Sequence, residues 1–160
     1  PHLRGAVDRI LSLLRWQLPA LEQVAHDLAQ KLMRVDKECH LYDDWHDQLL
    51  CAKNMHEGDM AIAFSYSGLT QEVLGCATEA QRHNCPVVAV TKVDGSSKLA
   101  TMADAVLGVA ASEPLVRSGA MASRMAQLMV VDALYAAYVA SDYERATHVI
   151  KQNYIEKQER

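Results

Sequence analysis

The chain has 160 residues, half of them hydrophobic, with 16 basic against 20 acidic residues and a net charge of −4 at neutral pH. That length suits one domain with an ordinary core, and the acidic balance gives the chain no general attraction for nucleic acid. No apolar run approaches the roughly 18 residues of a membrane span. The four cysteines, Cys39, Cys51, Cys76 and Cys85, lack CxxC or Cys/His spacing, so reduced, mostly buried thiols in a cytoplasmic protein are expected rather than disulfides or zinc.

Near the start, Val7, Ile10, Leu11, Leu14 and Leu18 fall at helical intervals up to the interruption at Pro19. A helix is expected over about 20–35, burying Leu21, Val24, Leu28 and Leu32, then a short strand over 38–42. Asp43 and Asp44 start a helix that runs to about residue 53, with Trp45, Leu49 and Ala52 turned inward.

After the turn Glu57-Gly58-Asp59, the run Met60–Phe64 has the length and continuous apolar character of a buried parallel strand. The hydroxyl-rich loop Ser65-Tyr66-Ser67-Gly68-Leu69-Thr70 follows, and a helix is expected from Gln71 to about residue 84 with Thr70 as N-cap. Strand, tight polar turn and helix start together form a geometry that receives phosphate, because the first-turn N–H groups and their summed partial charge favour an anion there. Ser65, Ser67 and Thr70 add neutral donors, and Gly68 can take a positive φ while keeping a Cβ out of the anion's way. The loop holds no lysine and no GxxxxGK[ST], which argues against a nucleoside triphosphate clamp and for one small phosphate. The plainer alternative is that these residues only turn a loop and cap a helix.

Further on, 87–91 is a β-branched central strand, Asp94-Gly95-Ser96-Ser97 a turn, 97–102 a short helix and 105–109 an outer strand. Strands alternating with helices imply a three-layer αβα sandwich around a mostly parallel sheet of four to five strands, with ligands bound beyond the C-terminal strand ends. Both 65–70 and 113–118 would fall there, which adds Glu113, Arg117 and Ser118 to the candidate binding residues. A long helix over 119–141 and a last one over 142–154 complete the chain; Met121, Met125, Leu128 and Met129 form a soft face expected chiefly as core, and so much apolar helix also invites a homo-oligomer. His26, His83 and His148 are expected as surface or cap residues, and His40, His46 and His56 form no ligand ladder, so no metal is expected.

The order SxSGxTxE, here Ser65, Ser67, Gly68, Thr70 and Glu72, resembles the phosphate loop of SIS domains, the flavodoxin-like sugar isomerase fold. Residues 113–127, with Ser123-Arg124-Met125-Ala126-Gln127 and then Val131-Asp132-Ala133-Leu134-Tyr135, resemble the RpiR type of bacterial transcriptional regulators. The resemblance implies an SIS domain over 20–160, preceded by residues 1–19 as a helix or an altered first strand. It further implies a homodimer or homotetramer that senses a phosphorylated sugar without a cofactor and touches DNA only through a helix-turn-helix domain not found in these residues. Two alternatives accompany it: an aldose/ketose phosphate isomerase with Glu113 as general base, or an SIS dimerisation module without ligand. The family's first strand normally ends in a GxGxS-like turn, whereas residues 9–20 contain no glycine.

Overall fold

The computed structural model describes residues 11–15, 19–110 and 121–154, the first of these and 19–22 as backbone only. Strands β1 (Leu11–Arg15), β2 (Cys39–Leu41), β3 (Met60–Phe64), β4 (Val87–Lys92) and β5 (Ala105–Val109) alternate with helices α1 (Pro19–Met33), α2 (Trp45–Lys53), α3 (Gln71–Arg82) and α4 (Lys98–Met102). Two further helices, α5 (Met121–Ser141) and α6 (Tyr143–Gln152), follow β5. Among the described residues the strands form one sheet, parallel throughout, in the order β2-β1-β3-β4-β5. This is the expected doubly wound sandwich.

Of the two readings of the N-terminal segment, the strand is the one observed for residues 11–15, and a helix across 6–18 is excluded there. The cause is tertiary: β1 lies between β2 and β3, so its backbone groups are paired on both sides, which outweighs a helical spacing spread over so few residues. β1 therefore belongs to the same sheet as the rest of the chain.

Side-chain alternation builds the two layers on either face. Ile62 and Phe64 of β3 and Val88 and Val90 of β4 join Val24, Leu28 and Leu32 of α1 and Val131 of α5 in one cluster. Ala61 and Ala63 with Val87 and Ala89 point the other way, against Val73, Cys76, Ala77 and Ala80 of α3, Ala52 of α2 and Leu99 of α4. All five β3 residues are buried, and the single phenylalanine, Phe64, is fully so, a burial worth about 1.5–3 kcal/mol. Helix starts follow the sequence closely: Asp44 accepts from the His46 N–H at 2.7 Å and Ser97 from the Ala100 N–H at 3.0 Å. At the far end of α3, Asn84 takes a φ of 57°, which lets the chain leave the helix and enter β4.

α5 departs from expectation. Met121, Met125 and Met129 stand 58%, 62% and 72% exposed, while the residues this helix buries are Ser123, Gln127 and Val131. The three methionines are thus surface rather than core, whereas Leu128 packs against the core as expected.

Candidate functional site

The chain runs from β1 outward to β2, returns to β3 on the other side of β1, and then proceeds through β4 to β5. The reversal falls between β1 and β3, and in open parallel sheets the crevice at the C-terminal ends of such strands is where ligands bind. The loop Ser65–Thr70 leaves β3 at that point.

Its hydroxyls do different jobs. Ser65 is 2% exposed; its Oγ accepts from the Gly68 N–H at 3.1 Å and lies 3.0 Å from Thr70 Oγ1. Ser65 therefore holds the loop's shape from within. Ser67 Oγ accepts from the Leu69 N–H at 3.3 Å, and both Ser67 and Thr70 are partly exposed. Thr70 occupies the N-cap position of α3 but makes no side-chain cap hydrogen bond, because its hydroxyl is turned to Ser65. The first-turn amides of α3 are left without that internal acceptor, and Glu72 stands in the same turn.

A second loop braces the first. The Tyr66 carbonyl accepts from Thr91 Oγ1 at 3.3 Å and from the Lys92 N–H at 3.1 Å, and the Gly68 carbonyl accepts from the Leu99 N–H at 3.0 Å. Thr91 and Ser97, both buried, pair through their hydroxyls at 3.1 Å. Gly68 has φ +65°, as expected, but the demand for glycine has a second source: a Cβ would lie 1.8 Å from Ser97 Oγ. Thr91, Lys92 and Ser97 escaped the sequence reading because nothing local says that the loop after β4 lies against the loop after β3.

Of the sequence-derived candidates, Ser65, Tyr66, Ser67, Gly68 and Thr70 are thus brought together, with the Tyr66 side chain packed against the α1/α5 cluster. Glu113, Arg117 and Ser118 lie outside the described residues. His40, Cys51, His56 and Asp59 share a groove of about 390 Å³ elsewhere, and among the described residues no cluster of His, Cys, Asp and Glu could hold a metal ion. Burial, with a smaller contribution from neighbouring negative charge, pushes the Cys39 and Cys76 thiols up to about 11, so both stay protonated at neutral pH. The four cysteines are free thiols. Among the described residues no helix is long and apolar enough to cross a membrane.

A parallel sheet with a hydroxyl-lined, glycine-turned loop at its switch point defines an open, doubly wound α/β protein. Residues 20–137 match the model of the SIS domain, and the chain belongs to that family. It is 40% identical over 120 residues to an HTH-type transcriptional regulator of Caldanaerobacter subterraneus subsp. tengcongensis, covering 75% of this chain and 42% of that protein. It is also 34% identical over 128 residues to the HTH-type transcriptional regulator YbbH of Bacillus subtilis, covering 79% and 45%. The chain thus spans less than half the length of these relatives. Among solved structures it resembles the Vibrio vulnificus NanR protein complexed with ManNAc-6P, with a TM-score of 0.83 and 27% identity over 94% of this chain and 56% of that one. It shares its fold with the sugar isomerase domain of an RpiR transcription factor from Sphaerobacter thermophilus, with a TM-score of 0.77 and 20% identity over 94% and 82%.

Proposed function

We propose that this SIS domain is the effector-sensing part of an RpiR-like, HTH-type regulator in the cytoplasm, and that the loop at residues 65–70 grips the phosphate of a phosphorylated sugar. The observation that carries the reading is the division of labour among the loop hydroxyls. Ser65 accepts from Gly68 inside the loop, and when it donates to Thr70, the Thr70 proton is left for an anion. Ser67 likewise accepts from Leu69 and keeps its own proton. Two hydroxyl donors and the uncapped first turn of α3 are then available to an anion within one loop at the switch point, which supports this reading. Regulator relatives at 40% and 34% identity, and a sugar-phosphate complex at 27%, favour a sensor over an isomerase.

The exposed methionine stripe of α5 supplies the second half of the reading: two copies pack through it, and the ligand biases how they are arranged. DNA contact belongs to a helix-turn-helix domain outside this chain. The test is a thermal melt with ManNAc-6P and a panel of other hexose and pentose phosphates. A Ser67→Ala, Thr70→Ala double variant is expected to keep the fold by circular dichroism and to lose the ligand-induced rise in melting temperature. Equal rises in variant and wild type would remove the loop from the site.

A further inference from the structure

We infer that Cys51 is a reactive thiol, activated by His40 with Glu38 behind it, and that the groove it lines takes small disulfides without negative charge, with which it forms a mixed disulfide. The groove lies where α2 ends and the chain turns into β3, the opposite end of that strand from the loop at residues 65–70. It stands apart from the phosphate reading.

Three side chains fall in line there. Glu38 Oε1 lies 3.2 Å from His40 Nε2, and His40 Nδ1 lies 3.9 Å from Cys51 Sγ. A carboxylate beside Nε2 keeps the proton of a neutral imidazole on that nitrogen, so Nδ1 offers its lone pair to the thiol. The sulfur can pass its proton to Nδ1, and the carboxylate then steadies an imidazolium that faces a thiolate. The fold makes this meeting: His40 points from β2 toward α2, and Cys51 reaches it from the last turn of that helix.

The other thiols are placed differently. Burial holds Cys39, Cys76 and Cys85 above the ordinary thiol range, the first two at about 11, and the Cys85 thiol donates to the His56 carbonyl at 3.0 Å. Cys51 is partly exposed and lines a cavity of about 390 Å³. The wall of that cavity also carries Asp47 and Asp59, the latter accepting from the His56 N–H at 2.8 Å. Two carboxylates repel an anionic disulfide and favour one that bears amines. The titratable groups around the sulfur are thus His40 and Tyr42 from the β2 segment, Asp47 on its own helix, His56 and Asp59 from the connection to β3, and Cys76 on the α3 side.

In the reaction the thiolate attacks one sulfur of the disulfide. A new S–S bond forms as the old one breaks, and the departing thiolate takes the proton held on His40. Cys51 is oxidised and the incoming disulfide is reduced.

The experiment treats the folded chain with cystamine or with dithiodipropionate and follows each thiol by peptide mass spectrometry against time and pH. At neutral pH Cys51 is expected to react about tenfold faster than each other thiol, and cystamine about tenfold faster than the dicarboxylate. Cys51→Ser should lose the fast adduct, and a reducing thiol should remove it from wild type. His40→Gln should slow Cys51 about tenfold and restore the pH dependence of an ordinary thiol. Glu38 is a positioning residue, and Glu38→Gln should slow the reaction about threefold while shifting the pH profile in the same direction. Melting temperatures without disulfide check the fold of each variant, and urea-unfolded wild type, in which all four thiols should react alike, gives the reference rate. If the thiols of the folded wild type react at one common rate, or if His40→Gln leaves both rate and pH profile unchanged, the activated thiol falls. Equal rates with the two disulfides would overturn the selection by charge.

Discussion

A methyl group on Gly68 would sit 1.8 Å from Ser97 Oγ and 2.9 Å from Thr91 Oγ1, at a φ of +65° that residues with a Cβ rarely adopt. Two separate penalties therefore meet at one residue. The left-handed backbone costs an alanine about 1–2 kcal/mol, and crowding the packed loops adds a comparable amount, so Gly68→Ala should lose roughly 2–4 kcal/mol of stability. Ser97→Gly removes the two nearest clashing atoms, leaving Thr91 Oγ1, and gives up both the helix cap and the buried hydroxyl pair with Thr91, a loss of about 1–3 kcal/mol. The double variant should therefore recover at least about 1 kcal/mol relative to the sum of the two single losses. Urea unfolding of the three variants measures this; strict additivity would show that the two loops are not in contact at Gly68.

Elements that announce themselves by a local pattern were legible in the sequence. β3 and β5 fall at residues 60–64 and 105–109 as expected, and α2, α4 and α6 begin just after Asp44, Ser97 and Asp142, whose side chains accept from the first helical turns. The turn at 65–70 was legible for the same reason, since Gly68 takes the positive φ and Thr70 the N-cap position that the order of residues announces. What the sequence could not display is pairing at a distance. β1 looks helical until β2 and β3 flank it, and the α5 methionines look like core until the helix rolls Ser123 and Gln127 toward the sheet instead. Gln127 is the consequence to test. It is wholly buried, and among the described residues neither atom of its amide has a hydrogen-bond partner. Leaving a buried polar group unpaired costs about 1–3 kcal/mol, so Gln127→Met, close in volume and without polar hydrogens, should raise stability by an amount of that order. A drop in the urea midpoint would show that the amide is held by a partner in solution.

For the molecule as a whole, the two faces of the sheet are covered by helices, and among the described residues α5 is covered where it meets α1, α6 and the sheet. On the α1 side Lys31 is paired with Asp27 and reaches across to Asp132, and Arg124 donates to Gln23 at 3.1 Å. These are exposed or half-buried contacts worth little individually, so they set the angle of α5 more than they stabilise it. On the other side Met121, Met125 and Met129, one helical turn apart, present flexible apolar chains to solvent. A stripe of this kind is suited to a second copy of itself about a twofold axis, since on an antiparallel helix Met125 then meets the partner's Met125 and Met121 meets the partner's Met129. One helix face falls short of the roughly 1,200–2,000 Å² of a standard interface, so in the proposed dimer neighbouring parts of the protein contribute and the stripe forms the centre of the contact. Light scattering should therefore give twice the 17.7 kDa mass of one chain for wild type. A Met121→Lys, Met125→Glu, Met129→Lys variant, which keeps helix-forming side chains, should give the mass of one chain with its circular dichroism unchanged. A monomeric wild type would dismiss the dimer, and a variant that remains dimeric would move the interface to another face.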